Sequence, residues 1–127
     1  MSSLKIGNSE YFNEIVTMLK HVAKREYKNE VFFTDAAFCH GTSGISILFR
    51  NIYEATKIDL FLEVSNYWLE QTLENKIKDD ISYGLAIKDS DEINISILEG
   101  LAGLMVCYNK YLGKDTSISE ELLMIKY

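Results

Sequence analysis

The residues best suited to chemistry are Cys39 and His40, which stand directly before Gly41. Thiolate sulfur and imidazole nitrogen are donors that zinc prefers, and zinc in proteins usually has four ligands. Gly41 permits a turn at which two neighbouring side chains can reach one ion. We expect the start of a helix at this point to lower the pKa of the Cys39 thiol, because free backbone N–H groups favour the anion. The pattern therefore indicates a soft-metal site.

The other candidate residues are less specific, and two ligands do not complete a zinc site. No C-x-x-C or H-E-x-x-H pattern accompanies Cys39 and His40, so a chance Cys-His dipeptide remains an alternative. Cys107 lies in an apolar segment and is expected to be a core residue. Glu99 precedes Gly100 in another apolar segment. It is either a buried carboxylate that needs a partner or a residue at a solvent-exposed edge.

Four segments have the apolar spacing of helices, and these must position the candidate residues. They run from Ser9 to about Tyr27, from about Thr42 to Thr56, from about Asp59 to Asn75 and from about Ile93 to Leu112. The short link between the second and third predicts an antiparallel hairpin. The fourth is apolar on several faces, which predicts burial all round. Residues 81–87 are either a strand or a loop, and a short helix is expected after Thr116.

Two glycine pairs indicate an internal repeat. An offset of 59 residues separates Gly41 from Gly100 and also separates Gly44 from Gly103. Glycine lets a neighbouring backbone approach closely, at a cost of about 1 kcal/mol of helix propensity per residue. The alternative is that small-xxx-small pairs are merely common packing devices.

Composition excludes several classes of protein. The 127 residues correspond to one domain, and the net charge of −6 disfavours nucleic acid as the main partner. Two cysteines are too few for a disulfide scaffold, and no apolar run is long enough to span a membrane. The start of the sequence lacks the apolar region of a secretory signal, so we expect a cytoplasmic protein. The absence of proline suits a series of helical hairpins.

The stretches FCHGTSGISILFRNIYEAT and INISILEGLAGLMVCYNKYL, with YWLEQTL between them, resemble the C-terminal part of the lanthionine synthetase C-like proteins. The resemblance runs from about Asn8 to the end. It implies an all-α fold of helical hairpins that form part of an α/α toroid. Residues 1–127 are then a single domain equivalent to the C-terminal third of that toroid. Inner helices of the family begin at Gly-x-x-Gly turns, which suits both glycine pairs.

The resemblance also implies a reaction, because the family includes the cyclases of lantibiotic biosynthesis. These hold a catalytic zinc through two Cys and one His, and their adjacent Cys-His pair matches Cys39 and His40. A zinc-activated cysteine thiolate of the precursor peptide adds to a dehydrated Ser or Thr and forms a thioether. The implied partners are this peptide and a complex with a dehydratase or transporter.

The sequence departs from the family pattern in one important respect. The Trp-Cys-x-Gly motif that carries the second zinc cysteine has no counterpart here, nor do the acid/base residues upstream of it. Cys107 does not match the place of that ligand. We therefore expect part of a cyclase that is inactive alone and holds less than stoichiometric zinc.

Other interpretations of the chain remain open. One is a non-catalytic domain that binds a peptide or a thiol such as glutathione, and another is a purely structural helical domain. Part of a toroid would expose apolar hairpin faces, which predicts a homo-oligomer.

Overall fold

The computed structural model describes residues 9–25, 35–79, 94–114 and 121. These residues form four α-helices and no strand: α1 (Ser9–Ala23), α2 (Thr42–Thr56), α3 (Asp59–Asp79) and α4 (Leu101–Tyr111). The predicted all-α class is confirmed for this part of the chain, and its hairpin is consistent with part of an α/α toroid. Residues 81–87 and, apart from Glu121, the predicted terminal helix lie outside the described residues. None of the described helices has the length and hydropathy needed to cross a membrane.

Helices α2 and α3 form the predicted antiparallel hairpin. Thr56 ends α2, as predicted, and Lys57 adopts a left-handed conformation with φ of 57°. The Lys57 N–H donates to the Tyr53 carbonyl at 2.7 Å, which closes the last turn of α2. α3 extends beyond the predicted Asn75 to Asp79. The core between the hairpin and α1 consists of Ala23, Phe49, Ile52, Phe61 and Trp68.

Buried hydroxyl groups hold α2 and α3 in register. Ser46 Oγ donates to the Ser65 carbonyl, and Ser65 Oγ donates to the Ser46 carbonyl, both at 2.9 Å. Tyr111 of α4 joins this pair through a 2.7 Å hydrogen bond between its hydroxyl and Ser46 Oγ. These small side chains allow the helices to approach closely while their polar atoms remain satisfied. Cys107 is fully buried beside them, as predicted, and this burial raises the pKa of its thiol to about 12.

Helix α4 is shorter than predicted. It begins at Leu101 rather than near Ile93, because Gly100 is extended (φ −129°, ψ −170°) and residues 97–99 form a turn. Asn94 favours this arrangement: its side-chain oxygen accepts the Ser96 N–H at 2.9 Å, which competes with helical hydrogen bonding. The prediction of burial all round is also wrong, because Met105 is 58% exposed.

Candidate metal centre

The turn before α2 positions Cys39 and His40. Asp35 accepts the Ala37 N–H on its side-chain Oδ1 at 2.9 Å and the Thr42 N–H on its backbone carbonyl at 3.1 Å. Gly41 is extended (φ −109°, ψ −169°), and a Cβ there would lie 2.4 Å from both Asp35 Oδ1 and Ala37 N. The turn therefore requires an Asx-type side chain at one end and a glycine at the other.

The same turn recurs before α4. Asn94 accepts the Ser96 N–H on Oδ1 and the Leu101 N–H on its carbonyl, each at 2.9 Å. A Cβ on Gly100 would meet the Asn94 side chain and the Ser96 nitrogen. The turn and the start of the helix that follows it therefore recur at the predicted offset of 59 residues. The equivalent pairs are Asp35 and Asn94, Cys39 and Leu98, His40 and Glu99, Gly41 and Gly100, and Gly44 and Gly103.

The two turns are joined directly. The backbone N–H groups of Phe38 and Cys39 both donate to the Leu98 carbonyl, at 3.0 and 2.9 Å. This contact places Glu99 beside the Cys-His pair. One donor atom each from Cys39, His40 and Glu99 lie within 4.8 Å of one another, and all three residues are exposed. Of the two alternatives for Glu99, the exposed one is therefore correct.

The imidazole of His40 is held between two partners. Its Nε2 lies 3.1 Å from Asp35 Oδ2, and its Nδ1 lies 2.9 Å from Cys39 Sγ. A carboxylate can only accept, so the Nε2–H donates to Asp35 and the Nδ1 lone pair points towards sulfur. The Asp35 side chain is 12% exposed and the His40 side chain 56%, so a buried carboxylate orients an accessible ring. Metal-binding histidines are commonly oriented in this way.

The pKa of the Cys39 thiol is raised, and the predicted lowering is wrong. Partial burial of Cys39 is the largest cause, and the negative charge of Glu99 is the second. The backbone hydrogen bond of Cys39 lowers the pKa, while Asp35 raises it further. Burial and the two carboxylates thus outweigh the backbone contribution, so the metal-free site favours the protonated thiol.

A family comparison agrees with the motifs in these turns. The family model for lanthionine synthetase C-like protein matches residues 2–124. The chain belongs to this family. Neither the curated proteins nor the solved structures gave a significant match. The resemblance predicted from the sequence is therefore confirmed, and the matched residues include both turns.

The donor set of this lanthionine synthetase C-like protein fits zinc, the metal generally associated with the family. Two ligands of one tetrahedral zinc lie roughly 3.6 Å apart when one is sulfur and the other nitrogen. The 2.9 Å between Cys39 Sγ and His40 Nδ1 is instead a hydrogen-bond distance, which a small side-chain rotation would increase. Cys107, buried within the core, is not among the clustered donors.

Sequence patterns single out Cys39 and His40 as candidate ligands, and the structure places two further residues beside them. Asp35 contacts His40, and Glu99 lies close to both candidate ligands. The signal was present in the repeat: an Asp or Asn stands six residues before each glycine that precedes a helix. Comparing the residues before Gly41 with those 59 positions later pairs Asp35 with Asn94 and His40 with Glu99.

Proposed function

We propose that this chain provides the metal-binding part of a zinc-dependent lanthionine cyclase. Such an enzyme adds cysteine thiols of a lantibiotic precursor peptide to dehydrated Ser or Thr residues. The observation that carries the proposal is the pairing of the Cys39 thiol with His40 Nδ1 at 2.9 Å on an exposed surface. Family membership supplies the type of reaction.

Each residue of the pair has a defined role in this proposal. Cys39 Sγ and His40 Nδ1 hold the metal, and Asp35 Oδ2 accepts a hydrogen bond from the Nε2–H, so that the Nδ1 lone pair is available to bind. When bound, zinc supplies the Lewis-acid chemistry that lowers the pKa of a substrate thiol. Because Cys39 and His40 are exposed, a cysteine side chain of a peptide can reach them from solvent.

Ring closure requires further groups in this proposal. Of the two histidines in the sequence, His40 holds the metal, and His21 lies on an exposed position of α1. We therefore expect the chain alone to bind a peptide thiol without closing the ring. We also expect it to act in the cytoplasm, whose reducing conditions keep Cys39 as a thiol.

Cobalt substitution tests the binding of a thiol. Zinc is spectroscopically silent, whereas cobalt in the same site shows charge-transfer absorption for every thiolate it binds. We expect this absorption to grow when a peptide with one cysteine is added, and not when the cysteine is replaced by serine. An unchanged spectrum with the cysteine peptide would contradict the proposal. Stronger binding of glutathione than of the peptide would favour the non-catalytic alternative.

Incubation with a dehydrated peptide tests the need for further groups. Thioether formation leaves the peptide mass unchanged but removes a free thiol, so the product resists alkylation. With the zinc-loaded chain alone, we expect the thiol to disappear at the spontaneous rate. Faster disappearance that depends on Cys39 would show that the chain closes rings unaided.

A further inference from the structure

We infer that Glu99 is the third protein ligand of the metal site, completing a Cys39–His40–Glu99 donor set. The inference rests on the proposed metal-binding role of Cys39 and His40. Glu99 lies in the second turn of the repeat, which thereby contributes a ligand to the metal held by Cys39 and His40 of the first turn.

The backbone of Glu99 is fixed by the turn that contains it. Its N–H donates to Ser96 Oγ at 3.2 Å, and its carbonyl accepts from Asn94 Nδ2 at 3.2 Å. The side chain of Glu99 therefore starts from a defined position. Among the described residues, no hydrogen bond or ion pair engages its carboxylate, which leaves both oxygens available as ligands.

The distance between Glu99 and Cys39 is set by backbone hydrogen bonds. Leu98, which precedes Glu99, accepts the N–H groups of both Phe38 and Cys39. The two ligand-bearing turns are thus attached to each other immediately beside the ligands. Their donor atoms, together with that of His40, lie within 4.8 Å of one another, a span that one ion can bridge with small side-chain movements.

The chemistry of the three donors matches a zinc site with one open position. A thiolate and a carboxylate together balance the charge of Zn²⁺, and the imidazole of His40 adds a neutral ligand. Catalytic zinc sites typically have three protein ligands from Cys, His, Asp and Glu, with the fourth position left for water or substrate. Asp35 is not available for this role, because its two carboxylate oxygens hold Ala37 and His40.

A third ligand changes the expected zinc content. The sequence, with two recognised ligands, predicts less than stoichiometric zinc. With Glu99 included, we expect one zinc ion per chain.

Zinc affinity, measured by competition with a chromophoric chelator, tests the inference on the full chain. We expect Glu99→Gln to weaken zinc binding by about 100-fold, since even indirect partners of ligands contribute about 10- to 100-fold. Glu99→His retains a donor and should bind more tightly than Glu99→Gln. The matched control is Glu63→Gln, which changes an exposed carboxylate of α3 and should leave the affinity unchanged.

The outcomes separate this inference from the proposed function. Equal zinc affinity of the wild-type chain and Glu99→Gln would overturn the role of Glu99 while leaving Cys39 and His40 as ligands. Failure of the wild-type chain to bind zinc or cobalt would overturn the proposed function itself. A cobalt spectrum that keeps its thiolate absorption in Glu99→Gln, but with weaker binding, would support both.

Discussion

Residues 35–41 and 94–100 fold into the same turn but carry different chemistry. Each has an Asp or Asn that accepts a backbone N–H two residues later, and each ends at an extended glycine. The two positions before the glycine differ: Cys39 and His40 in the first turn become Leu98 and Glu99 in the second. The backbone of the repeat therefore restricts the residue types at the two ends of the turn. The exposed positions near its tip can carry different side chains, including candidate metal ligands.

The first residue of each turn shows why Asp is used in one and Asn in the other. Asp35 must accept a hydrogen bond from the His40 Nε2–H, which a carboxylate oxygen does. Asn94 must donate to the Glu99 carbonyl, which only the amide can do. The two side chains make the same backbone contact and differ only in the group that they support.

Alanine at the equivalent glycines tests the shared backbone and should have the largest effect. A Cβ on Gly44 would lie 1.8 Å from the Phe38 carbonyl oxygen, and one on Gly103 would lie 2.3 Å from that of Ile97. Alanine improves helix propensity by about 1 kcal/mol, but the overlap with backbone outweighs this gain. We expect Gly44→Ala to lower the free energy of unfolding by about 3 kcal/mol and Gly103→Ala by about 2 kcal/mol in urea denaturation.

The control for the glycine variants is Asn66→Ala, at an exposed position of α3. It should change the free energy of unfolding by less than about 0.5 kcal/mol. Unaltered stability of both glycine variants would show that the close approach of each turn to the helix that follows it is not required.

Asp35→Asn separates the two functions of the first residue and should have an intermediate effect. Asn94 shows that an amide can hold this turn, so the free energy of unfolding should change by less than about 1 kcal/mol. The amide donates as well as accepts, and its support of His40 is weakened. Zinc affinity should therefore fall by about 10-fold, as is usual when the partner of a ligating histidine is removed. Unchanged zinc affinity would show that Asp35 does not contribute to the metal site.

The smallest expected effect is the change that Glu99→Gln makes in the pH dependence of Cys39 alkylation in the metal-free protein. Partial burial and then Glu99 raise the pKa of this thiol, so less thiolate forms at a given pH than in an unfolded chain. We expect the rate of alkylation to rise only at more alkaline pH than for denatured protein, and Glu99→Gln to shift the pH profile of the rate towards lower pH. Both rates are measured in a Cys107→Ser background, which leaves Cys39 as the one cysteine of the sequence, because Cys107 is buried in the folded protein but reacts in the denatured one. A profile that Glu99→Gln leaves in place would contradict the proximity of the two side chains.

Local sequence patterns predicted the helices well where packing follows apolar spacing. The bounds of α2 were correct, and the hairpin with α3 followed from the short link at Lys57. The start of α4 was wrong because Asn94 and Gly100 favour a turn that apolar periodicity does not detect. The buried serines of the hairpin were also missed, since burial of a hydroxyl depends on partners distant in sequence, such as Ser65 for Ser46.

The candidate site was only half predictable for a similar reason. Cys39 and His40 are adjacent in sequence, so their residue types alone pointed to a metal. Glu99 comes close to them because the Leu98 carbonyl bonds to the first turn across a long sequence separation. Such a contact is not visible in local spacing, although the 59-residue repeat contained the information that the two turns are equivalent.

The most direct test of the proposed metal site is the zinc content of the chain after equilibrium dialysis, compared with that of Cys39→Leu. This substitution gives the first turn the residue that the second carries at Leu98, and Cys39 is exposed, so the fold should be retained. We expect one zinc per chain for the wild-type protein and an affinity lower by more than about 100-fold for the variant. Zinc bound equally tightly by Cys39→Leu would contradict the assignment of the metal site to the first turn.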